Sequence, residues 1–81
     1  MIKDVNVTKP NGLQTNECAV IARLAGKACG DVFIIKGNKR VNGKSIMGLL
    51  SLNMKFNEAI QIYFSDEDEK AELVQDILAA F

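Results

Sequence analysis

The chain contains no histidine. It therefore lacks the one side chain that offers a neutral, basic nucleophile near pH 7 without a specially tuned environment. It also lacks net charge, because ten basic residues balance ten acidic ones. Bulk electrostatics consequently gives no hold on nucleic acid, and direct nucleic-acid binding is not expected. Apolar runs extend only a few residues, far short of a membrane span, and no targeting signal is visible, so no membrane association is expected. Gly and Pro are not enriched (six and one residues) and 48% of the chain is apolar, a composition that argues against disorder. No CxxC pair, P-loop, catalytic triad or metal-ligand spacing is present, so neither metal nor cofactor is expected.

What is present is one small domain, read as spanning 1–81, that must use a limited core economically. Its charge is divided along the chain. Residues 1–57 carry a net charge of +6 and residues 58–81 a net charge of −6, with five acids between Ser65 and Glu72. Acids placed where a helix would begin complement its dipole.

Ile2–Thr8 alternates, with Val5 and Val7 on one face, and reads as a half-buried strand. Pro10-Asn11-Gly12 breaks it. From Thr15 to Cys29, Cys18, Ile21, Ala22, Ala25 and Ala28/Cys29 recur at helical spacing, with Gly26 as a weak interior point and Gly30 suited to the C-terminal cap. Val32–Lys36, Gly37-Asn38 and Lys39–Asn42 form a hairpin pattern with Gly first in a two-residue loop. Lys44–Leu52 reads as a short helix with Ser45 near its start. Glu58–Phe64 alternates with Ile60, Ile62 and Phe64 inward. A last helix opens with Ser65 or Asp66 as cap and carries Ala71, Val74, Ile77, Leu78 and Phe81 on one face. Cys18 and Cys29, both in the first expected helix, would lie about 16 Å apart, too far to bridge. They read as buried thiols in a reducing cytoplasm.

The order is thus β-α-β-β-α-β-α. Strands with one polar face imply an antiparallel sheet covered on one side, an α+β two-layer domain.

With Pro10-Asn11-Gly12-Leu13 before the first helix and VNGKSIMGLLSL over Val41–Leu52, the chain resembles the HPr phosphocarrier family along almost its whole length. The resemblance implies that family's open-faced β-sandwich, four antiparallel strands covered on one face by three helices. The family motif Gly-[Ile/Leu]-His-[Ala/Thr]-Arg-Pro-Ala stands here as Gly12-Leu13-Gln14-Thr15-Asn16-Glu17-Cys18. By that match Gln14 replaces the phosphorylated histidine, Asn16 the arginine and Glu17 the proline.

The chemistry of that exchange follows from the residues. An amide nitrogen delocalised into its carbonyl is no nucleophile. Asn16 cannot grip phosphate with the charged fork of a guanidinium. Glu17 sets a negative charge where a phosphoryl group would arrive. Catalysis by phosphoryl relay at this position is therefore not expected, and the chain reads as no enzyme. Gln14 keeps roughly the length and hydrogen-bonding capacity of histidine, as in the catabolite-repression branch of HPr-like proteins. That branch normally keeps the Arg and Pro.

Ser45 matches the serine that HPr kinase/phosphorylase modifies in related proteins, and phosphate is electrostatically favoured at a helix N-terminus. A plain cap is the alternative role. The resemblance further implies a partner-docking face formed by Gln14, Thr15, Asn16, Ala19 and Arg23 with Ile46, Met47, Leu50 and Ser51, while Leu49 and Leu52 read as core. Cys18, near a helix start, could have a lowered thiol pKa, but its helical position points it inward. The expected partners are proteins: an HPr kinase/phosphorylase and a transcriptional regulator, or enzyme I, or something outside sugar transport.

Overall fold

Period-two alternation builds the sheet and helical periodicity covers it. The computed structural model describes every residue from Met1 to Phe81. Four strands, β1 (Ile2–Asn6), β2 (Val32–Lys36), β3 (Lys39–Asn42) and β4 (Ala59–Phe64), alternate with three helices, α1 (Thr15–Ala25), α2 (Ile46–Ser51) and α3 (Ala71–Ala79). The sheet order is β1-β4-β2-β3 and every neighbouring pair is antiparallel. This is the open-faced α+β sandwich that the sequence implies.

One face of the sheet meets the helices. Val7, Val32, Ile34, Ile60, Ile62 and Phe64 pack there against Cys18, Ile21 and Ala25 of α1, Leu49 of α2 with Leu52 just beyond it, and Val74, Ile77 and Phe81 of the C-terminal segment. Each Val, Leu, Ile or Phe among them contributes about 1.5–3 kcal/mol by leaving water. The register places Ile2, Tyr63, Phe33 and Asn42 in one row across the other face, and Asp4, Gln61, Ile35 and Arg40 in the next.

Two glycines are required by their backbone. Gly37 opens the β2–β3 turn at φ +61° with open space around it. Gly12 sits at φ +73°, and a Cβ there would lie 2.7 Å from the Met54 carbonyl oxygen. That close approach lets the Leu13 N–H reach the same carbonyl at 2.9 Å, which fixes the chain as it enters α1.

Three expectations need correction. α1 stops at Ala25 with Gly26 as its C-terminal cap, not at Cys29. The Lys27 and Ala28 N–H groups turn back to Leu24 and Ala25, the tighter i→i+3 pattern that closes a helix. Cys29 therefore lies outside the helix and is exposed, whereas Cys18 is fully buried. α3 starts at Ala71 rather than after Ser65 or Asp66, with Lys70 in the capping position and no side-chain cap.

The acids ahead of α3 do other work. Ser65 Oγ accepts the Asp31 N–H at 2.7 Å, and Asp66 closes its own turn by accepting the Asp68 N–H at 2.8 Å. Glu69 is buried and takes the N–H groups of Cys29 (3.0 Å) and Gly30 (2.9 Å), one on each carboxylate oxygen. Only Glu72 lies in the helix's first turn to face its dipole.

Candidate functional site

Helix α1 buries Cys18, Ile21 and Ala25 at spacings of three and four, so Asn16, Ala19 and Arg23 fall on its outward stripe. Gln14 is the N-cap residue, extended and exposed. Its backbone N–H donates to Glu17 Oε1 at 2.8 Å, and its side-chain amide donates to the Asn11 carbonyl at 3.4 Å. Glu17 therefore folds back over the helix start as the acidic half of a capping box, where its negative charge also meets the dipole's positive end. Gln is not the Ser or Thr of the usual capping-box signature, but the Glu17 half of the device is made, and it gives Glu17 a structural role at the helix start.

Around Gln14 the surface is hollowed on two sides. A depression of about 190 Å³ is lined by Lys9, Pro10, Asn11, Gly12, Gln14 and Glu17. A second, of about 440 Å³, runs from Gln14 towards Asn53, Met54, Lys55 and Phe56. Phe56 is 57% exposed and rides on a loop with two left-handed asparagines, Asn53 and Asn57. The sequence pattern gave no hint of this aromatic.

The loop is held by Lys36. Its ammonium donates to the Leu52 and Asn53 carbonyls at 2.9 and 3.0 Å, where α2 ends, and pairs with Glu58 at 3.0 Å. Glu58 also accepts the Lys55 N–H at 2.7 Å. That backbone bond first, and Lys36 second, hold the Glu58 carboxyl below its ordinary value.

The start of α2 is built differently. Asn42 Oδ1 accepts the Lys44 N–H at 2.9 Å, and the Asn42 carbonyl accepts the Ser45 N–H at 3.1 Å. Ser45 is thereby placed as N-cap, its Oγ accepting the Gly48 N–H at 3.1 Å. No acid stands in the first turn. Ile46 is 40% and Met47 79% exposed, Leu50 is half-buried against the core, and Ser51 Oγ donates to the Gly48 carbonyl. α1 and α2 pack against each other. The proposed docking residues thus come from two adjoining helices; Thr15, Asn16, Arg23, Ile46, Met47 and Ser51 are open to solvent, whereas Ala19 and Leu50 are partly covered.

Cys18 departs from the lowered thiol pKa that a helix start allows. Burial pushes its thiol up, and the charge of Glu17 adds to the effect. It is an inert core thiol that donates weakly to the Leu13 carbonyl. Cys29 Sγ and the carboxylates of Asp66 and Glu69 offer ligand atoms within 4.8 Å of one another, but both Glu69 oxygens already accept backbone N–H groups.

No helix is long and apolar enough to cross a membrane. A family model described as the PTS HPr component phosphorylation site matches residues 2–81. The chain is 38% identical to the HPr-like protein Crh of Bacillus subtilis over 77 residues, 95% of this chain and 88% of that protein. It superposes on the phosphocarrier protein HPr of Bacillus anthracis with a TM-score of 0.86 at 35% identity, covering 99% of this chain and 94% of the other. With a crystal structure of B. subtilis Crh described as a domain-swapped dimer, the TM-score is 0.72 at 36% identity, covering 94% and 86%. The chain belongs to the HPr family of the phosphotransferase system, as an HPr-like phosphocarrier-family protein.

Proposed function

We propose that this chain is an HPr-like regulatory module that does not relay phosphate through position 14 and acts by binding other proteins. The observation that carries this reading is the hydrogen bond from the Gln14 N–H to the Glu17 carboxylate at 2.8 Å. An internal anion already occupies the helix start, beside an amide that cannot accept a phosphoryl group and with no histidine anywhere in the chain. An incoming phosphoryl group would meet like charge instead of a guanidinium.

The docking face is the surface around Gln14, Thr15, Asn16 and Arg23 together with Ile46, Met47 and Ser51. Exposed Met and Ile suit protein contact, since a flexible thioether adapts to varied surfaces. Ser45 is the switch. Its hydroxyl caps a helix that has no acid in its first turn, and Lys44 adjoins it, so a phosphate there is electrostatically favoured. Phosphorylation changes which partner accepts the adjoining Ile46/Met47 surface.

Two incubations test the reading. With a cognate HPr kinase and ATP, the chain gains one phosphate at Ser45, and Ser45→Ala gains none. With enzyme I and phosphoenolpyruvate, no acid-labile label is retained. Absence of modification at Ser45 sinks the switch; label from phosphoenolpyruvate sinks the non-relaying assignment. Asn16 and Glu17 alter the face itself, which favours a partner outside sugar transport over enzyme I. Recovery of enzyme I in a pull-down from the native extract overturns that preference.

A further inference from the structure

The sheet face opposite the helices is uncovered and mixed: Asn6, Asp4, Gln61, Arg40 and Asn42 share it with Ile2, Phe33, Ile35, Tyr63 and Ala59. An antiparallel sheet with one solvated face ordinarily shows water a polar row. Here Phe33 and Tyr63 stack with ring centroids 6.2 Å apart and planes inclined by 27°. Ile35 lies in the neighbouring row, and Ile2, beside Tyr63, is 57% exposed. Arg40 lays its guanidinium carbon 4.6 Å from the Phe33 ring centroid.

Charge on this face is sparse and ordered. Asp4 stands on edge strand β1 and Arg40 on edge strand β3, at opposite ends of one row through Ile35. They are separated by three strand spacings, about 14 Å. Neither makes an ion pair within the chain, whose two salt bridges lie elsewhere. One acid and one base leave the face without net charge, so it has no means of selecting a strongly charged partner. Its pattern is instead complementary to itself. A half-turn about an axis lying between two such faces, parallel to the strands, sets β1 of one copy over β3 of the other. Asp4 then meets Arg40 of the second copy at both edges, and Phe33 meets Tyr63 of the second copy between them. An axis across the strands stacks β1 on β1 and loses this pairing.

We infer that the uncovered sheet face is a self-association surface, on which a second copy of this chain stacks sheet to sheet with Asp4 against Arg40 at each edge. The two Phe33–Tyr63 contacts supply the apolar centre, flanked in the next row by Ile35 against the aliphatic stem of Gln61 of the second copy, at the spacing of about 10 Å usual for stacked sheets. Four strands of about five residues present a projected area of about 300 Å² per copy. A stable interface takes about 800 Å² per partner. The dimer is accordingly weak and reversible, to be sought at protein concentrations of about 0.1–1 mM, and it leaves the α1/α2 surface free.

Sedimentation equilibrium of the full chain across that range, with amide NMR shifts followed over the same dilution, tests the inference. The wild type is expected to dimerise, with concentration-dependent shifts on β1, β2, β3 and β4 and none at Met47. Arg40→Asp and Asp4→Arg each place like charges together twice and are expected to raise the Kd at least about tenfold. The double variant Asp4→Arg/Arg40→Asp restores the pairs in reverse and returns the Kd to within about threefold of wild type. A monomer throughout, single variants that dimerise as the wild type does, or a double variant that fails to recover would each overturn the surface. So would a dimer that survives dilution for hours, since that marks exchanged strands rather than stacked sheets.

Discussion

At the start of α1 the negative charge is the chain's own, a Glu17 carboxylate 2.8 Å from the Gln14 N–H; at the start of α2 a neutral Ser45 hydroxyl takes the Gly48 N–H and Lys44 stands beside it. Two helix starts on neighbouring helices thus answer one electrostatic requirement in opposite ways. The first already carries an anion and the second carries none, which is the contrast on which the proposed function rests. Resemblance to a motif says which residues have changed. The hydrogen bonds say what now stands there, and on the proposed reading a place for transient charge has become a place of permanent charge.

The comparison breaks most completely if relay can be restored. Gln14→His alone is expected to stay at background in labelling by enzyme I and phosphoenolpyruvate, since Glu17 still occupies the site. Gln14→His/Asn16→Arg/Glu17→Pro is expected to take acid-labile label. Strong label on the single variant would show that Glu17 closes nothing.

Next in size, Gly12→Ala forces a positive φ on a side chain whose Cβ meets the Met54 carbonyl. It is expected to lower stability by about 2–3 kcal/mol in denaturant unfolding. Damage should reach the α1 start first, so amide exchange there rises before exchange at Gly48 does. A smaller effect separates the two caps. Glu17→Ala and Ser45→Ala are each expected to cost about 1 kcal/mol. Inorganic phosphate should raise the Tm of Glu17→Ala more than that of the wild type, because the vacated helix start can accept an anion again.

The smallest effect lies at the far end of α2. Glu58 has its carboxyl lowered by the Lys55 N–H and by Lys36. A carboxyl lowered in the folded state contributes stability that is fully present above its unfolded value, about 4.3, and is lost as pH falls through the lower folded value. Unfolding curves of wild type and Glu58→Gln should therefore differ at neutral pH and converge in acid. A gap that widens on acidification contradicts the assigned bonds.

Much of the architecture is legible from local pattern. Val32–Lys36 and Lys39–Asn42 are strands over the residues expected, because Gly37-Asn38 permits little except a tight hairpin. Ser45 caps α2 as its residue type suggests. What local pattern misses is decided by distant partners. Gly26 looks like a tolerated interior glycine until Glu69, 40 residues away from Cys29, is seen to hold the N–H groups of Cys29 and Gly30 outside any helix. Ser65 looks like a cap, but the Asp31 N–H takes its hydroxyl. The acid run reads as dipole compensation because nothing in the sequence shows that Glu69 is buried. The candidate site divides the same way: exposure of Met47 follows from helical spacing, while Phe56 is presented by a loop whose shape depends on Lys36 reaching it from β2.

The strand order sets a timetable for a chain made from its N-terminus. β1 has its only ladder on β4, so the earliest made of these four strands waits until residues 59–64 exist. The β2–β3 hairpin closes early, its contacts being local, and offers the other edge of β2 to β4 as soon as that strand arrives. Until then β1 is an unpaired edge on a nascent chain. In a crowded polysome it and the waiting edge of β2 are both open to capture by the β4 of a neighbour.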